Sequence, residues 1–320
     1  RSVCLDRSLL VVDEVHASDL YMSRLLRCLL SHHLGVGGYA MLLSATLGSR
    51  AQHDYIRIAK PGSVSPDFQT AIKAPYPSLT LSSGRVVAAS SLRHTKEVRF
   101  DMRPWAFCPH EAVDQVLVPA LEAGARVLVV MNTVARAISM LRAVEANDAI
   151  RSSWLFRCND HICVHHGRFA PEDRAVLDKA VSVRLGKESP PGPVLLIGTQ
   201  TLEQSLDIDA DLLVTDLAPS DVLLQRVGRL KRHNRVRPTG YGDARCIVLV
   251  PDRDLESALD SRGEVSADFK RVGFGSVYED LRSLEFTHRT LKEKSVFVIP
   301  DDNRFLVERA THPEILDSLD

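Results

Sequence analysis

Short apolar runs recur along the chain and constrain its fold more than any other feature: LLVV (9–12), YAMLLSAT (39–46), ARVLVVMN (125–132), PVLLIGT (193–199), DLLVTDL (211–217) and ARCIVLVP (244–251). They are continuous rather than alternating, which suits strands covered on both faces, as in a parallel sheet. Between them, residues 17–33 and 133–146 repeat apolar positions at spacings of three and four, the pattern of amphipathic helices. The alternation predicts stacked βα units and an α/β fold. A length of 320 residues, at about 150 per domain, leaves room for roughly two domains.

A content of 45% hydrophobic and 25% charged residues excludes a disordered or collagen-like chain. Forty Lys+Arg oppose 41 Asp+Glu for a formal net charge of -1, so any nucleic-acid contact has to be local. The apolar runs are far shorter than the roughly 18 residues of a membrane span, and no leader pattern opens the chain. The expectation is a soluble cytoplasmic protein with no membrane partner. Six scattered cysteines read as reduced thiols. Residues 61–105, with five prolines, read as a connector, and SPPGP (189–193) as a loop. After residue 251 a charged, helical pattern suggests a smaller C-terminal element.

Chemistry concentrates first in LLVVDEVH (9–16). A strand ending in Asp13 and Glu14 sets two carboxylates at the carboxyl edge of a parallel sheet, where open α/β sheets bind ligands. In phosphoryl transfer such a pair divides labour, Asp13 holding Mg²⁺ and Glu14 orienting or deprotonating the attacking water. The same pair could merely open a helix. Ser44 and Thr46 end the next apolar run and would meet His16. In QRVGRLKR (225–232), helical spacing puts Gln225, Arg229 and Arg232 on one face, an array suited to a γ-phosphate. A solvated basic helix is the alternative.

DEVH, SAT and QRVGRLKR in this order resemble motifs II, III and VI of superfamily 2 helicases, which clamp ATP between two RecA-like domains while single-stranded nucleic acid crosses both. DEVHASDLYM (13–22), LLSATLG (42–48), APYPSLTL (74–81), VMNTVARA (130–137), HHGRFAPEDR (165–174), residues 198–233 and VYEDLRSLEFTHRTL (277–291) further resemble the CRISPR-associated helicase-nuclease of type I, Cascade-dependent systems. The resemblance implies tandem RecA-like domains: 1–60 the end of the first, 61–105 the connector, 106–250 the second, and 251–320 a C-terminal domain or tail.

It also implies an ATP-dependent translocase on single-stranded DNA in CRISPR interference. Its partners would be a crRNA-guided surveillance complex and an HD nuclease, fused or separate. ATP and Mg²⁺ are the implied ligands. Carried over by motif, Thr199, Gln200 and Gln204 would face the DNA backbone or couple it to ATP. Asp207 would approach the ribose, with Gly228 and His16 also on the nucleotide side. Ser44 and Thr46 would couple the two sites. Asn132 and Thr133 are candidate phosphate contacts, though Thr133 equally reads as a helix N-cap. His166 and Arg168 are further candidates for the DNA track.

Two departures stand out. The family's phosphate loop, GxxxxGK[ST], is missing from this sequence, where Gly186-Lys187 is followed by Glu188. The expectation is a C-terminal fragment or truncated gene product that hydrolyses ATP poorly or not at all alone. His53-Asp54 is an HD dipeptide without partner ligands around it, and Cys158, His161, Cys163, His165 and His166 lack the clean ligand pairs of a zinc site. Of the basic run 226–237, Arg235 and Arg237 could be solvated or touch DNA. Two other readings stay open: another superfamily 2 helicase acting on DNA or RNA, and an idle module that binds nucleic acid or a partner without turnover.

Overall fold

The computed structural model describes residues 8–15, 20–89, 95–203, 206–260 and 262–319. His16 and Gln204 lie outside the described residues. The chain forms two compact units, residues 1–94 with 300–320 and residues 95–299. Among the described residues no helix is long and apolar enough to cross a membrane.

The first unit pairs β1 (Leu9–Val12) in parallel with β2 (Tyr39–Leu42), joined by α1 (Leu20–Gly35) and followed by α2 (Ser49–Ala59) and α3 (Phe68–Lys73). Leu10, Val12, Ala40 and Leu42 pack with Val15, Leu26 and Leu30 in a small core. The other sheet face carries Leu9, Val11, Tyr39 and Met41, which are exposed. This departs from the expectation of strands covered on both faces: the described helices cover one side of this two-stranded sheet. A hairpin of β3 (Ser78–Thr80) and β4 (Val86–Ala88) completes this part of the chain.

The second unit opens with β5 (Lys96–Arg103). Then α4 (Pro109–Ala112) runs through a π turn, Val113–Leu117, into α5 (Val118–Glu122), followed by β6 (Arg126–Val130) and α6 (Val134–Glu145). A hairpin of β7 (Arg157–Cys158) and β8 (His161–Ile162) precedes α7 (Pro171–Leu185), β9 (Val194–Gly198), β10 (Leu212–Asp216), α8 (Ser220–Val227) and β11 (Ala244–Leu249). α9 (Ala267–Arg271), α10 (Leu281–Glu293) and β12 (Val296–Ile299) close it. The sheet order is β12-β5-β11-β10-β6-β9, parallel except for β12, which runs antiparallel to β5. Strands β6, β9 and β10 are buried at every position, as continuous apolar runs demand. Each large aliphatic side chain so enclosed contributes about 1.5–3 kcal/mol. Met131, Met140 and Trp154 lie in this core, and Phe156 is buried as well.

The expected boundaries shift in two places. Residues 61–105 are not a bare connector: α3 and the β3–β4 hairpin belong to the first unit, while β5 is an internal strand of the second, with Val98 and Phe100 facing its core. Nor is 251–320 a separate domain. Residues up to 299 complete the second unit, and α11 (Asn303–Thr311) with α12 (Pro313–Leu316) return to the first. There the buried Glu308 accepts hydrogen bonds from the Ser49 backbone N–H at 2.8 Å and the Ser49 hydroxyl at 2.7 Å. Gly48, the N-cap of α2, has no side chain to do so, and α11 supplies the missing anion at a helix N-terminus.

Candidate functional site

Parallel strands share one carboxyl edge, so the tips of β6, β9 and β10 bring Asn132–Thr133, Thr199–Gln200 and Asp216 onto the same rim of the second unit. Beneath that rim lies the fully buried Arg226 of α8. Its Nε is 2.8 Å from Glu203 Oε1, and its terminal nitrogens donate to Thr215 Oγ1, the Asp216 carbonyl, Asn132 Oδ1 and the Tyr278 hydroxyl. Burial pushes the Glu203 carboxyl above its ordinary range against the pull of Arg226. Burial likewise raises the Tyr278 phenol. Asp216 accepts a second guanidinium, Arg136, at 2.8 Å.

Asn132 is enclosed, at 1% exposure. Its amide donates to the carbonyls of Leu217 and Val272, and Gly273, at φ +98°, approaches so closely that a Cβ would lie 2.6 Å from that of Asn132. This corrects the reading of Asn132 as a phosphate contact: its polar atoms tie β6 to β10, Arg226 and the segment after α9. Thr133 caps α6 by accepting the Arg136 N–H, while its hydroxyl donates to the Arg271 carbonyl. Thr199 is also turned inward, at 3% exposure. Gln200 is taken up as well, donating to the Asn132 carbonyl at 2.5 Å. These side chains join strand tips to one another, which is why they are not displayed on the rim.

The basic run departs from a continuous helix. α8 ends at Val227 and Gly228 turns the chain. Leu230 then bridges to Ala210, and Lys231 takes φ +48°. Gln225 is half-buried on the last turn of α8 and Gly228 is exposed. Arg229, 9% exposed, donates to the carbonyls of Leu206 and Glu203 at 2.6 Å each, satisfying backbone acceptors that would otherwise be buried without partners. It therefore holds the loop after β9 and is not presented beside Gln225 and Arg232 as spacing suggested. Arg232 is presented: its Nε lies 3.1 Å from Asp207 Oδ1, both side chains being 42% exposed. His233 also reaches Asp207, at 2.7 Å, and the Lys187 N–H donates to its other oxygen. Partial burial works against ionisation, but these hydrogen bonds hold Asp207 below the usual carboxylate range.

Arg235 and Arg237 are neither solvated nor free for DNA. With Arg126 they surround the buried Asp209, and Arg237 and Arg126 also pair with Asp211. Arg168 is exposed beyond β8. It is held near β9 because His165 pairs with Gly198, where any Cβ would meet the His165 carbonyl at 2.4 Å. His165 is fully buried, bonded to Thr201 Oγ1 at 2.8 Å and Asp178 Oδ1 at 2.7 Å, so it is committed within the fold. In the first unit, Asp13 and Glu14 follow β1 and are exposed. The Glu14 N–H donates to Asp13 Oδ1 at 2.9 Å, and Glu14 has φ +54°. Ser44 and Thr46 follow β2, with the Thr46 N–H 3.4 Å from the Ser44 hydroxyl. His53 is buried in α2 against Ser63.

Sequence reading missed Arg226 as a structural residue, together with Glu203 and Tyr278. A signal was present: Arg226 follows Leu223 by three positions and so shares its helical face, which is buried, where a solvated cation has no place.

Residues 123–235 match the family described as CRISPR-associated nuclease/helicase Cas3, C-terminal. The CRISPR-associated endonuclease/helicase Cas3 of Thermus thermophilus is 32% identical over 330 residues, covering 93% of this chain and 34% of that protein. The chain belongs to the Cas3 helicase family. The crystal structure of T. fusca Cas3 superposes with a TM-score of 0.76 at 26% identity, over 98% of this chain and 37% of that one. T. fusca Cas3 has also been crystallised with ATP, AMPPNP and ADP. A chain of a CRISPR RNA-guided surveillance complex in a pre-nicking state matches at TM-score 0.68 and 26% identity, covering 97% of this chain and 39% of that one. The fold is therefore the RecA-like α/β class of Cas3, and the chain spans about a third of the length of these Cas3 relatives.

Proposed function

We propose that the chain is the motor segment of an ATP-driven translocase on single-stranded DNA, acting in CRISPR interference with a crRNA-guided surveillance complex and an HD nuclease. The observation that carries this reading is the exposed pair of Arg232 and Asp207, from distant motifs, held 3.1 Å apart. A triphosphate takes the guanidinium as a charge-assisted partner, and a ribose hydroxyl takes the carboxylate as an acceptor. T. fusca Cas3 crystallised with ATP, AMPPNP and ADP supports nucleotide as the ligand.

In this reading Glu14 orients the attacking water and accepts its proton. Asp13 suits Mg²⁺: it is an exposed hard-oxygen donor with one oxygen tied to the Glu14 N–H. Such a cation, when bound, neutralises charge developing on phosphate oxygens. Arg232 stabilises the transferring phosphoryl group. Arg229 acts through the loop it holds, and Gln225 and Gly228 shape the turn that presents Arg232. Ser44 and Thr46 follow the strand beside the acidic pair and couple its state to DNA grip.

The test joins this chain to a segment bearing a phosphate loop and measures DNA-stimulated ATPase activity. Glu14→Gln stops turnover and keeps ATP binding. Normal turnover in that variant rejects the assignment. The 320-residue chain alone shows no turnover, and robust hydrolysis by it would contradict the need for such a loop.

A further inference from the structure

One exposed feature of the second unit is left over from this mechanism. In the loop between β8 and α7, the rings of His166 and Phe169 stack with centroids 4.5 Å apart and planes 14° from parallel. Phe169 is 37% exposed although it is a large apolar side chain. Arg168 stands beside the stack, and its guanidinium enters no hydrogen bond or ion pair among the described residues.

The loop is held firmly. His165, just before it, bonds Thr201 and Asp178, and its backbone pairs with Ile197 and Thr199 across the tip of β9. The Arg168 N–H donates to His166 Nδ1 at 3.2 Å, which requires that nitrogen to be unprotonated and places the ring proton on Nε2. Burial and the neighbouring Arg168 also lower the His166 pKa. The stacked pair is thus uncharged at neutral pH, a flat surface with one fixed cation alongside.

Resting on the single-stranded DNA reading above, we propose that the outer face of Phe169, backed by His166, is a stacking platform for one base of the strand, and that Arg168 binds the adjoining phosphate. A neutral ring takes any base by its π face, so the platform grips without reading sequence, as translocation requires.

The experiment measures binding of the 320-residue chain to fluorescein-labelled oligothymidylate and to an abasic strand of equal length. Phe169→Ala weakens binding to oligothymidylate about tenfold, equivalent to about 1.4 kcal/mol, and leaves the abasic strand unaffected. Arg168→Ala weakens both. Phe169→Trp keeps affinity, and its added indole fluorescence is quenched by oligothymidylate. Circular dichroism and melting temperature of all three variants match the parent. Unchanged oligothymidylate binding by Phe169→Ala, or equal losses on both strands, overturns the platform while leaving the DNA reading intact. If the parent chain binds neither strand, the DNA reading falls with it.

Discussion

Arg226 is the residue on which the rim of the second unit depends. A guanidinium with no solvent contact is tolerable only because each nitrogen finds a partner, and those partners come from four separate places in the sequence: Asn132, Glu203, Thr215–Asp216 and Tyr278. Removing one member of a buried ion pair strands the other, at a cost of about 3–5 kcal/mol. Arg226→Ala is therefore expected to lower urea-unfolding stability by that amount. Arg226→Met combined with Glu203→Gln recovers much of the loss, since no buried charge is then left alone. Equal losses in the single and double variants would mean that Arg226 matters for volume rather than charge.

At the scale of elements, two attachments lend themselves to measurement. Loop 165–169 is attached to β9 by His165, whose pKa burial pushes down to about 4 from 6.5. The imidazole stays neutral in the fold while the unfolded chain protonates it between those values. The unfolded state then binds more protons, so stability is complete above pH 6.5 and falls as pH drops towards 4, by about 3 kcal/mol in all. Urea melts from pH 7.5 to 4 are expected to show this slope, and His165→Gln to flatten it. The second attachment is Glu308 on the N-terminus of α2. Glu308→Ala leaves the buried Ser49 N–H and hydroxyl without acceptors and is expected to destabilise the first unit by about 1.5–3 kcal/mol in the same assay. Such attachments show where sequence reading succeeds and where it stops. The parallel strands were legible because LLV and VLLI are apolar at consecutive positions, a pattern that suits a doubly covered sheet. The acidic pair and the cations were legible as residue types at fixed spacing. What spacing could not divide was the work within the basic run. Arg226, Arg229, Arg232, Arg235 and Arg237 look alike in sequence, yet only Arg232 faces outward beside Asp207, because the partners that bury the others lie 4 to 94 residues away, from Arg237 and His233 to Arg226 and Asn132. Glu308 is a stronger case, reaching α2 across 259 positions.

For the whole molecule, the two units differ in what holds them. The second encloses a large continuous core around β6, β9, β10 and β11. Among the described residues the first has a small cluster of Val15, Leu26 and Leu30, with Leu10, Val12, Ala40, Leu42, Tyr55 and Ile58 packed against it, besides buried Ala71, Leu306, Val307, Ala310 and Leu316. Its outer sheet face leaves Leu9 at 56%, Val11 at 51% and Tyr39 at 78% exposure. Stabilisation by burial scales with apolar area removed from water, so the first unit is the weaker of the two. Two cores of unequal size unfold in separate steps rather than in one cooperative transition. Hydrogen exchange followed by mass spectrometry on the 320-residue chain is expected to label β1 and β2 at urea concentrations that leave β6 and β10 protected. Glu308→Ala should move only the earlier step and Arg226→Ala only the later one. A single transition shifted alike by both substitutions would show that the units share their stability, and the assignment of each residue to its own core would fail.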